Sequence, residues 1–312
     1  MTQPEITPTH IRGALAPAKL NLFLHIVGRR DDGYHLLQSV FMLIDWCDSL
    51  DFELRPDGRL SREDATPGLE LPEIDLCVRA AQALRSATGC RLGAHIRLHK
   101  RIPAEAGMGG GSSDAATCLI ALNRLWRLGL DRRQLAEVAV GLGADVPFFI
   151  GGRNAWVEGI GERLTPVSLP QSKFVVIKPA TGASTQAIFR SWNLKRDTKT
   201  AILQGFAANH SAELRELAPG TSLDVPFACD LQKILEFGHN DLQPVAQELC
   251  PDISKCLTWL SARGLSGRMT GSGTAVFAHL PQAADLSGAP DDWMVRECGN
   301  MDAHPLLDWC HG

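Results

Sequence analysis

The chain has 312 residues, which is enough for two domains because a single hydrophobic core rarely serves more than about 250 residues. Hydrophobic residues make up 45% of it, and the formal net charge is -4. A negative chain without a run of Lys or Arg offers no basic field for nucleic acid or for an anionic membrane surface. A small molecule or a protein partner is therefore the expected ligand.

The cysteines and the N-terminal residues indicate the compartment. Nine cysteines are scattered along the chain, with no CxxC pair and no Cys/His cluster of zinc spacing, which is typical of buried thiols in a reducing cytosol. The N-terminal residues show no apolar signal core, and no run approaches the roughly 18 apolar residues of a membrane span. We therefore expect a cytoplasmic protein that does not enter a membrane.

Alternating hydrophobicity predicts a strand over residues 19–27. Its leucines and Ile26 fall on one face, which is predicted to be core, and the other face carries Lys19, Asn21, Phe23 and His25. Further strands are predicted at residues 40–44, 49–55 and 94–98, and a helix is predicted at residues 76–87.

A glycine-rich loop follows the strand at 94–98. The stretch RIPAEAGMGGGSSDAA covers residues 101–116 and places four glycines and two serines between Gly107 and Ser113. Ser112 or Ser113 is predicted to cap a helix whose apolar stripe continues to Trp126. The order is therefore strand, glycine loop, helix.

Backbone N–H groups in such a loop, continued by those of the helix N-terminus, form a concave site that suits phosphate. Glycine lets the oxygens approach the backbone and adopts positive φ easily. The alternative is a flexible connector, because strand-to-helix loops often carry glycine for packing. The loop is not a Walker loop, since no lysine follows its glycines, and Ser112 stands where the dinucleotide fingerprint has its third glycine.

The mixture of strands and helices continues along the rest of the chain. A helix is predicted at residues 131–142, and the apolar stretch ADVPFFIGGRNAWVEGIGERL after it is predicted to form strands separated by tight turns. Residues 168–173 are the candidate linker. A strand at 174–179, a helix over 241–263 and a second glycine cluster, RMTGSGTAVFAHL, follow, whereas residues 193–225 give no clear pattern.

Three segments resemble the motifs of the GHMP kinases, the superfamily of galactose, homoserine, mevalonate and phosphomevalonate kinases. PAKLNLFLHIVGRRDDGYHLLQSVF resembles the N-terminal motif, PAEAGMGGGSSDAA the second motif, and RMTGSGTAVFA the C-terminal glycine motif. The resemblance implies an α+β, two-domain GHMP kinase fold with the active site between the domains. A ribosomal protein S5 domain 2-like N-terminal domain would cover residues 1–168, and a ferredoxin-like C-terminal domain residues 169–312.

The resemblance also implies an enzyme that uses ATP and Mg²⁺ to phosphorylate a hydroxyl of a small molecule. Within the superfamily, GRRDDGYH, GADVPFFIGG and HNDLQP resemble a kinase whose acceptor carries a cytidine diphosphate group. Two rivals are another GHMP kinase, of the mevalonate or homoserine type, and a catalytically silent GHMP-fold protein that senses a nucleotide or sugar. The expected oligomeric state is a monomer or weak homodimer.

The resemblance assigns roles to individual residues. The ATP-binding loop would comprise Pro103, Ala104, Glu105, Ala106, Gly107, Met108, Gly109, Gly110, Gly111, Ser112 and Ser113. Glu105 and Ala106 stand where small glycines are often found, and Asp75 stands where Asn is common. The first departure affects the shape of the entrance for the triphosphate. The second affects the contact with adenine.

Lys19 matches the active-site lysine of these kinases, with Asn21 as its hydrogen-bonding support, and Asp145 matches the general base. From the residues alone, the more common role for Lys19 is a solvated strand-end lysine, and Asp145 is as readily a turn-forming residue before Pro147. Asp114 is the competing carboxylate. Its place in the first helical turn predicts a depressed pKa and hence a weaker base, which leaves it a role in the loop or at a magnesium ion.

Tyr34, the only tyrosine, and His35 combine an aromatic face with hydrogen-bonding capacity, which suits a nucleobase. The alternative is a pair of core residues. The resemblance makes them the cytosine site, with Phe189 as a second stacking face. The Gly271–Gly273 segment is either only a tight turn between a helix and a strand or, as the resemblance implies, a part of the active-site cleft.

Overall fold

The computed structural model describes residues 5–67, 75–208 and 226–310. The described part of the first half contains β1 (Glu5–Ile6), β2 (His10–Arg29), β3 (His35–Arg55), β4 (Leu60–Asp64), α1 (Leu76–Thr88), β5 (Gly93–His99), α2 (Gly110–Leu125), α3 (Arg132–Ala139), α4 (Val146–Gly151), β6 (Ala155–Glu158) and β7 (Arg163–Ser168). The second half contains β8 (Lys173–Lys178), α5 (Thr185–Arg190), β9 (Phe227–Ala228), α6 (Leu231–Phe237), α7 (Gln243–Leu249), α8 (Asp252–Ser261), β10 (Gly267–Met269), β11 (Val276–Leu280) and β12 (Met294–Met301). This mixture confirms the expected α+β class. None of the helices in these ranges is both long and apolar enough to cross a lipid bilayer.

A hydrogen-bonded sheet runs through both halves of the chain. Its path is β10-β11-β8-β12-β3-β6-β7-β9, while β2 and β5 pair with β3 beside this path. The pairing is antiparallel except between β4 and β5 and between β7 and β9. Strand β12 joins the halves, because Met294–Gly299 pair with β8 while Asn300 and Met301 pair with β3. The domain boundary at residue 168 stays a prediction.

Strand β2 is buried on both faces, including the face that carries the polar side chains. Lys19, Asn21 and His25 are each no more than 3% exposed. Phe23, on the same face, packs into a core cluster that includes Phe277 of the C-terminal half. The second half of the chain thus covers the polar face of β2.

Helix α2 begins earlier than the serines suggested. Gly109 is its N-cap residue, with a φ of 70°, and Ser112 and Ser113 lie inside the first turn. Glycine can adopt this left-handed conformation without strain, so the chain turns into the helix before it reaches the serines. Helix α3, by contrast, begins as the sequence predicts, with a capping box between Asp131 and Gln134.

Three other predicted elements differ in the structure. The apolar run after Asp145 forms the short buried helix α4 rather than a strand, because an apolar run of this length does not distinguish the two. The strands predicted at 40–44 and 49–55 are one strand, β3. The helix predicted over 241–263 is interrupted at Cys250 and Pro251 and gives α7 and α8.

The C-terminal residues return to the N-terminal core. His304 is 2% exposed, its backbone N–H donates to Gly152 O at 2.8 Å, and its Nδ1 accepts from the Leu306 N–H at 3.1 Å. Burial, with Arg132 nearby, lowers the pKa of His304 to about 3. The imidazole is therefore neutral in the folded protein well below its ordinary range.

We expect His304 to make the protein less stable in mild acid. Below about pH 6.5 the unfolded chain protonates this side chain and the folded chain does not, so stability falls until the pH reaches the folded pKa. His304→Asn keeps an acceptor for the Leu306 N–H but does not titrate. Between about pH 7 and pH 5, urea unfolding should show the wild type losing about 2 kcal/mol more stability than the variant. Equal losses in the two proteins would contradict this prediction.

Candidate active site

The glycine loop forms one wall of a cavity of about 500 Å³. Loop residues 103–111 line it, together with Lys100, Asp114 and the first turn of α1. Thr185, Ser272 and Gly273 of the C-terminal half close the opposite side. The structure thus brings most of the predicted ATP loop to one cavity. Ser112 and Ser113 lie just beyond it in the first turn of α2.

The loop leaves the start of α2 open toward this cavity. Its N-cap residue, Gly109, has no side chain to bond the first N–H groups of the helix. Gly107 has a φ of 72°, and a Cβ atom there would lie 2.2 Å from Thr270 O. Glycine is thus required where the loop passes Thr270. The free N–H groups and the positive end of this 16-residue helix suit an anion.

The structure brings Lys19, Asn21 and Asp145 together beside the loop. Lys19 Nζ lies 3.4 Å from Asp145 Oδ2 and donates to Asn21 Oδ1 at 2.5 Å. The backbone N–H of Lys19 donates to Met108 O at 3.0 Å, which ties the strand to the loop. The Asp145 side chain is 29% exposed and makes no capping hydrogen bond with α4. A buried ammonium therefore faces a carboxylate that solvent or a substrate can reach.

Asp114 behaves differently from the sequence-based prediction. Its Oδ2 accepts from Lys100 Nζ at 2.8 Å, and Lys100 also donates to Asp48. Burial raises the pKa of Asp114 to about 8 against the opposing effect of Lys100, so the predicted depression is wrong. Desolvation of the fully buried carboxyl outweighs the favourable helix terminus. Lys100 was not identified from the sequence because a lone lysine after a strand has no signature.

A second cavity, of about 730 Å³, contains the proposed nucleobase residues. Tyr34 is 61% exposed on its wall and is therefore not a core residue. The rings of His35 and Phe189 have centroids 5.2 Å apart and are tilted by 42°. The structure thus places these two residues side by side although they lie 154 positions apart in the chain.

Arg196, from the stretch that gave no sequence pattern, holds the His35 ring. Its Nε donates to His35 Nε2 at 3.0 Å, and its other nitrogens donate to carbonyl oxygens that include those of Phe189 and Ser191. Burial, with Arg196 and Arg29 adding to it, lowers the pKa of His35. A guanidinium only donates, so Nε2 must accept and the neutral ring carries its proton on Nδ1.

The second glycine cluster packs on the glycine loop. A Cβ atom at Gly271 would lie 2.5 Å from Gly107 O, and Ser272 Oγ and Thr185 Oγ1 are 2.7 Å apart at the cavity wall. The segment is a tight turn that also forms a wall of the cavity, so it is not a tight turn alone. Among the residues that the structure describes, no group of three or more His, Cys, Asp or Glu side chains could hold a metal ion.

Comparison with known proteins identifies both halves. Residues 75–153 match the family model for the GHMP kinases N terminal domain, and residues 230–289 match that for the GHMP kinases C terminal domain. The chain is 59% identical over 297 residues to the 4-diphosphocytidyl-2-C-methyl-D-erythritol kinase of Variovorax paradoxus (strain S110), covering 94% of this chain and 97% of that protein. It is 55% identical over 317 residues to the enzyme of the same name from Polaromonas naphthalenivorans (strain CJ2), covering 99% and 100%.

A solved structure agrees with these relatives. The crystal structure of a 4-(cytidine 5'-diphospho)-2C-methyl-D-erythritol kinase superimposes with a TM-score of 0.65 at 32% identity. The match covers 91% of this chain and 98% of that one. The expected GHMP kinase fold is confirmed.

Proposed function

Since this chain belongs to the 4-diphosphocytidyl-2-C-methyl-D-erythritol kinases, a family of the GHMP kinases, we propose that it transfers the γ-phosphate of ATP to the 2-hydroxyl of 4-diphosphocytidyl-2-C-methyl-D-erythritol (CDP-methylerythritol). This reaction is a step of the non-mevalonate route to isoprenoid precursors. The observation that carries the proposal is the contact of Lys19 with Asp145 directly beside the glycine loop. A catalytically silent relative would have no need of this pair.

The glycine loop binds the triphosphate. The oxygens of the triphosphate accept hydrogen bonds from the backbone N–H groups at the start of α2, which no side chain caps. The helix dipole also favours negative charge at this position. Ser272 and Thr185 close the cavity from the other half of the chain and are placed to donate hydroxyl hydrogen bonds. Binding of the nucleotide therefore depends on both halves.

Asp145 acts as the general base. It takes the proton of the acceptor hydroxyl while that oxygen attacks the γ-phosphorus and ADP leaves. Lys19 holds the carboxylate in place and offsets the negative charge that develops, and Asn21 fixes Lys19 through the 2.5 Å hydrogen bond. Phosphoryl transfer needs positioning and charge stabilisation more than covalent participation, and this site supplies both without a nucleophile.

Mg²⁺ fits the start of α2. Asp114 lines the cavity, its Oδ1 is buried without a hydrogen-bond partner among the described atoms, and oxygen is the ligand that Mg²⁺ prefers. The ion usually takes only one or two protein ligands and completes its shell with phosphate and water, so the lack of a larger acidic group is no obstacle. When bound, it neutralises charge on the nucleotide phosphates.

The second cavity takes the cytosine. Tyr34 and Phe189 provide aromatic faces for stacking, and the Nδ1–H of His35 is a donor suited to the acceptor edge of the base. Arg29, Arg190 and Arg196 also line this cavity and suit the diphosphate by charge. A mevalonate or homoserine kinase has no nucleobase to bind, so this cavity favours CDP-methylerythritol over the substrates of those enzymes.

A substrate comparison tests the function. The purified protein is given ATP with CDP-methylerythritol, methylerythritol phosphate, mevalonate or homoserine, and release of ADP is followed. We expect kcat/KM to be far higher for CDP-methylerythritol, because binding of the cytidylyl group orients the reacting hydroxyl. Higher efficiency on mevalonate or homoserine would favour that type of kinase. ATP binding without turnover of any acceptor would indicate the silent protein.

Tyr34→Ala should weaken binding of CDP-methylerythritol by about 1–3 kcal/mol, the usual effect of removing an aromatic platform from a base. Tyr34 is largely exposed, so the melting temperature should hardly change. Tyr34→Phe keeps the ring and is the matched control. Calorimetric titration with CDP-methylerythritol and with ATP measures both effects. A loss of the same size for ATP, or none for CDP-methylerythritol, would remove Tyr34 from the cytosine site.

Three further properties stay predictions. They are the cytoplasmic location, the monomer or weak homodimer, and the lack of interaction with nucleic acid or membranes. The composition and the net charge of -4 support the last of these.

A further inference from the structure

A hydroxyl of the second glycine motif lies against the residues that hold Lys19. Thr270 is fully buried, and its Oγ1 accepts from the backbone N–H of Asn21 at 2.9 Å. The same Oγ1 lies 3.5 Å from Asn21 Oδ1, the atom that accepts from Lys19 Nζ. Residues that are far apart in the sequence thus meet beside the lysine.

This contact fixes the orientation of the Asn21 side chain. Asn21 Nδ2 donates to Ser39 Oγ at 3.0 Å, and the Ser39 hydroxyl donates to Phe23 O. The Thr270 oxygen receives the Asn21 N–H, so its own hydrogen is available to the Asn21 side-chain oxygen. The amide oxygen is therefore directed to Lys19 and Thr270, and the amide nitrogen to Ser39. A rotated amide would present donors to the Lys19 ammonium, which is itself only a donor.

Thr270 is in turn held by Asn240 of the HNDLQP segment. Asn240 Nδ2 donates at 2.8 Å to both Met269 O and Gly271 O, the carbonyl oxygens on either side of Thr270. Its Oδ1 accepts from the Leu242 N–H at 2.9 Å, and the residue is only 3% exposed. Asn240 also forms a bridge with β2 at Leu24. These contacts of Asn240 fix the backbone of Thr270 relative to β2, the strand that carries Lys19.

We propose that Thr270, held in place by Asn240, is a positioning residue for phosphoryl transfer. Its hydroxyl orients the Asn21 amide, and the amide holds Lys19 Nζ beside Asp145. This inference rests on the proposed function. Thr270 contacts no reacting atom in this scheme and does not bind either substrate. Its loss should therefore lower kcat and leave both KM values nearly unchanged.

Two substitutions separate this role from packing. Thr270→Val keeps the shape of the side chain and removes the hydroxyl, whereas Thr270→Ser keeps the hydroxyl and removes a buried methyl group. Both should lower the melting temperature, the first through an unpaired Asn21 N–H and the second through a small cavity. Only Thr270→Val should lower kcat, by roughly 10–100-fold, the scale of a misplaced catalytic group. The KM values should stay within about twofold.

A double-variant comparison adds a second readout. If Thr270 acts through Asn21, Thr270→Val should lower kcat in the wild type but hardly at all in an Asn21→Ala background. Equal kcat losses in the Val and Ser variants, an unchanged kcat in Thr270→Val, or additive losses with Asn21→Ala would each overturn the proposal.

Crystal structures of the two Thr270 variants keep this test independent of the proposed function. We expect the Lys19–Asn21 hydrogen bond to be lost in Thr270→Val and retained in Thr270→Ser. An unchanged Lys19–Asn21–Asp145 arrangement in Thr270→Val would overturn the positioning role even if the wild type proved inactive on CDP-methylerythritol. Inactivity of the wild type would itself reject only the proposed function.

Discussion

Asp145→Asn should lower kcat by roughly 10²–10⁴-fold while ATP binding stays nearly intact. The variant keeps the size and shape of the side chain but cannot accept the proton of the acceptor hydroxyl. Asp145 makes no capping hydrogen bond, so the helix that follows it should form as before. Steady-state kinetics with both substrates and calorimetric titration with ATP measure the two effects.

Asp131→Asn is the matched control for this prediction. Asp131 also precedes a short helix, where it caps α3, and Asn caps a helix about as well as Asp. The control removes one negative charge near α3 and should leave kcat unchanged. Near-normal turnover of Asp145→Asn would refute the assignment of the base. A large loss of ATP affinity in that variant would instead give Asp145 a role in nucleotide or metal binding.

The elements that the sequence predicts well are those that local patterns determine. The strand predicted around Leu20 lies within β2, and α1 and β5 lie within a residue or so of their predicted bounds. Helix α3 begins within one residue of its predicted start at residue 131. The glycine loop follows its strand and precedes its helix. In each case the signal lies within a few neighbouring residues, so no distant contact is needed to interpret it.

The features that the sequence does not predict arise from contacts between distant segments. The polar side of β2 is buried because the C-terminal half packs on it, which no period-2 pattern can reveal. Arg196 donates to His35 in the wall of the second cavity, and Thr270 accepts from the Asn21 N–H close to Lys19. None of these pairs has a local signature.

Asp114 illustrates the same limit for charge. Its position in the first turn of α2 favours a low pKa, and that part of the argument is local. The degree of burial and the neighbouring Asp48 are tertiary properties, and together they raise the pKa instead. A helix terminus stabilises a charge by a modest amount, whereas full desolvation of a carboxyl is a larger effect. The sequence therefore shows the smaller effect on the pKa of Asp114, that of the helix terminus, while the larger effect, desolvation, depends on the folded structure.

Gly111→Val should lower the affinity for ATP by about 10²-fold or more, the effect of losing one or two charge-assisted hydrogen bonds at about 1.5–3 kcal/mol each. Gly111 lines the first cavity in the first turn of α2, where we propose that phosphate oxygens approach the backbone. A Cβ atom there would meet only Leu76, at an acceptable 3.4 Å. The fold should therefore tolerate valine, and the branched side chain should keep phosphate from the N–H groups.

Gly141→Val controls for the substitution itself, because Gly141 has no atom within 4 Å of its Cβ position and does not line this cavity. Both variants should melt close to the wild type, while only Gly111→Val should lose ATP affinity in a calorimetric titration. Binding of CDP-methylerythritol should persist in both, since the proposed cytosine site is the other cavity. Gly110→Val is a poorer probe, because its Cβ would lie 3.2 Å from Lys100 Nζ and 3.1 Å from Ile102. Unchanged ATP binding in Gly111→Val would make the loop a connector, and the triphosphate would have to bind elsewhere.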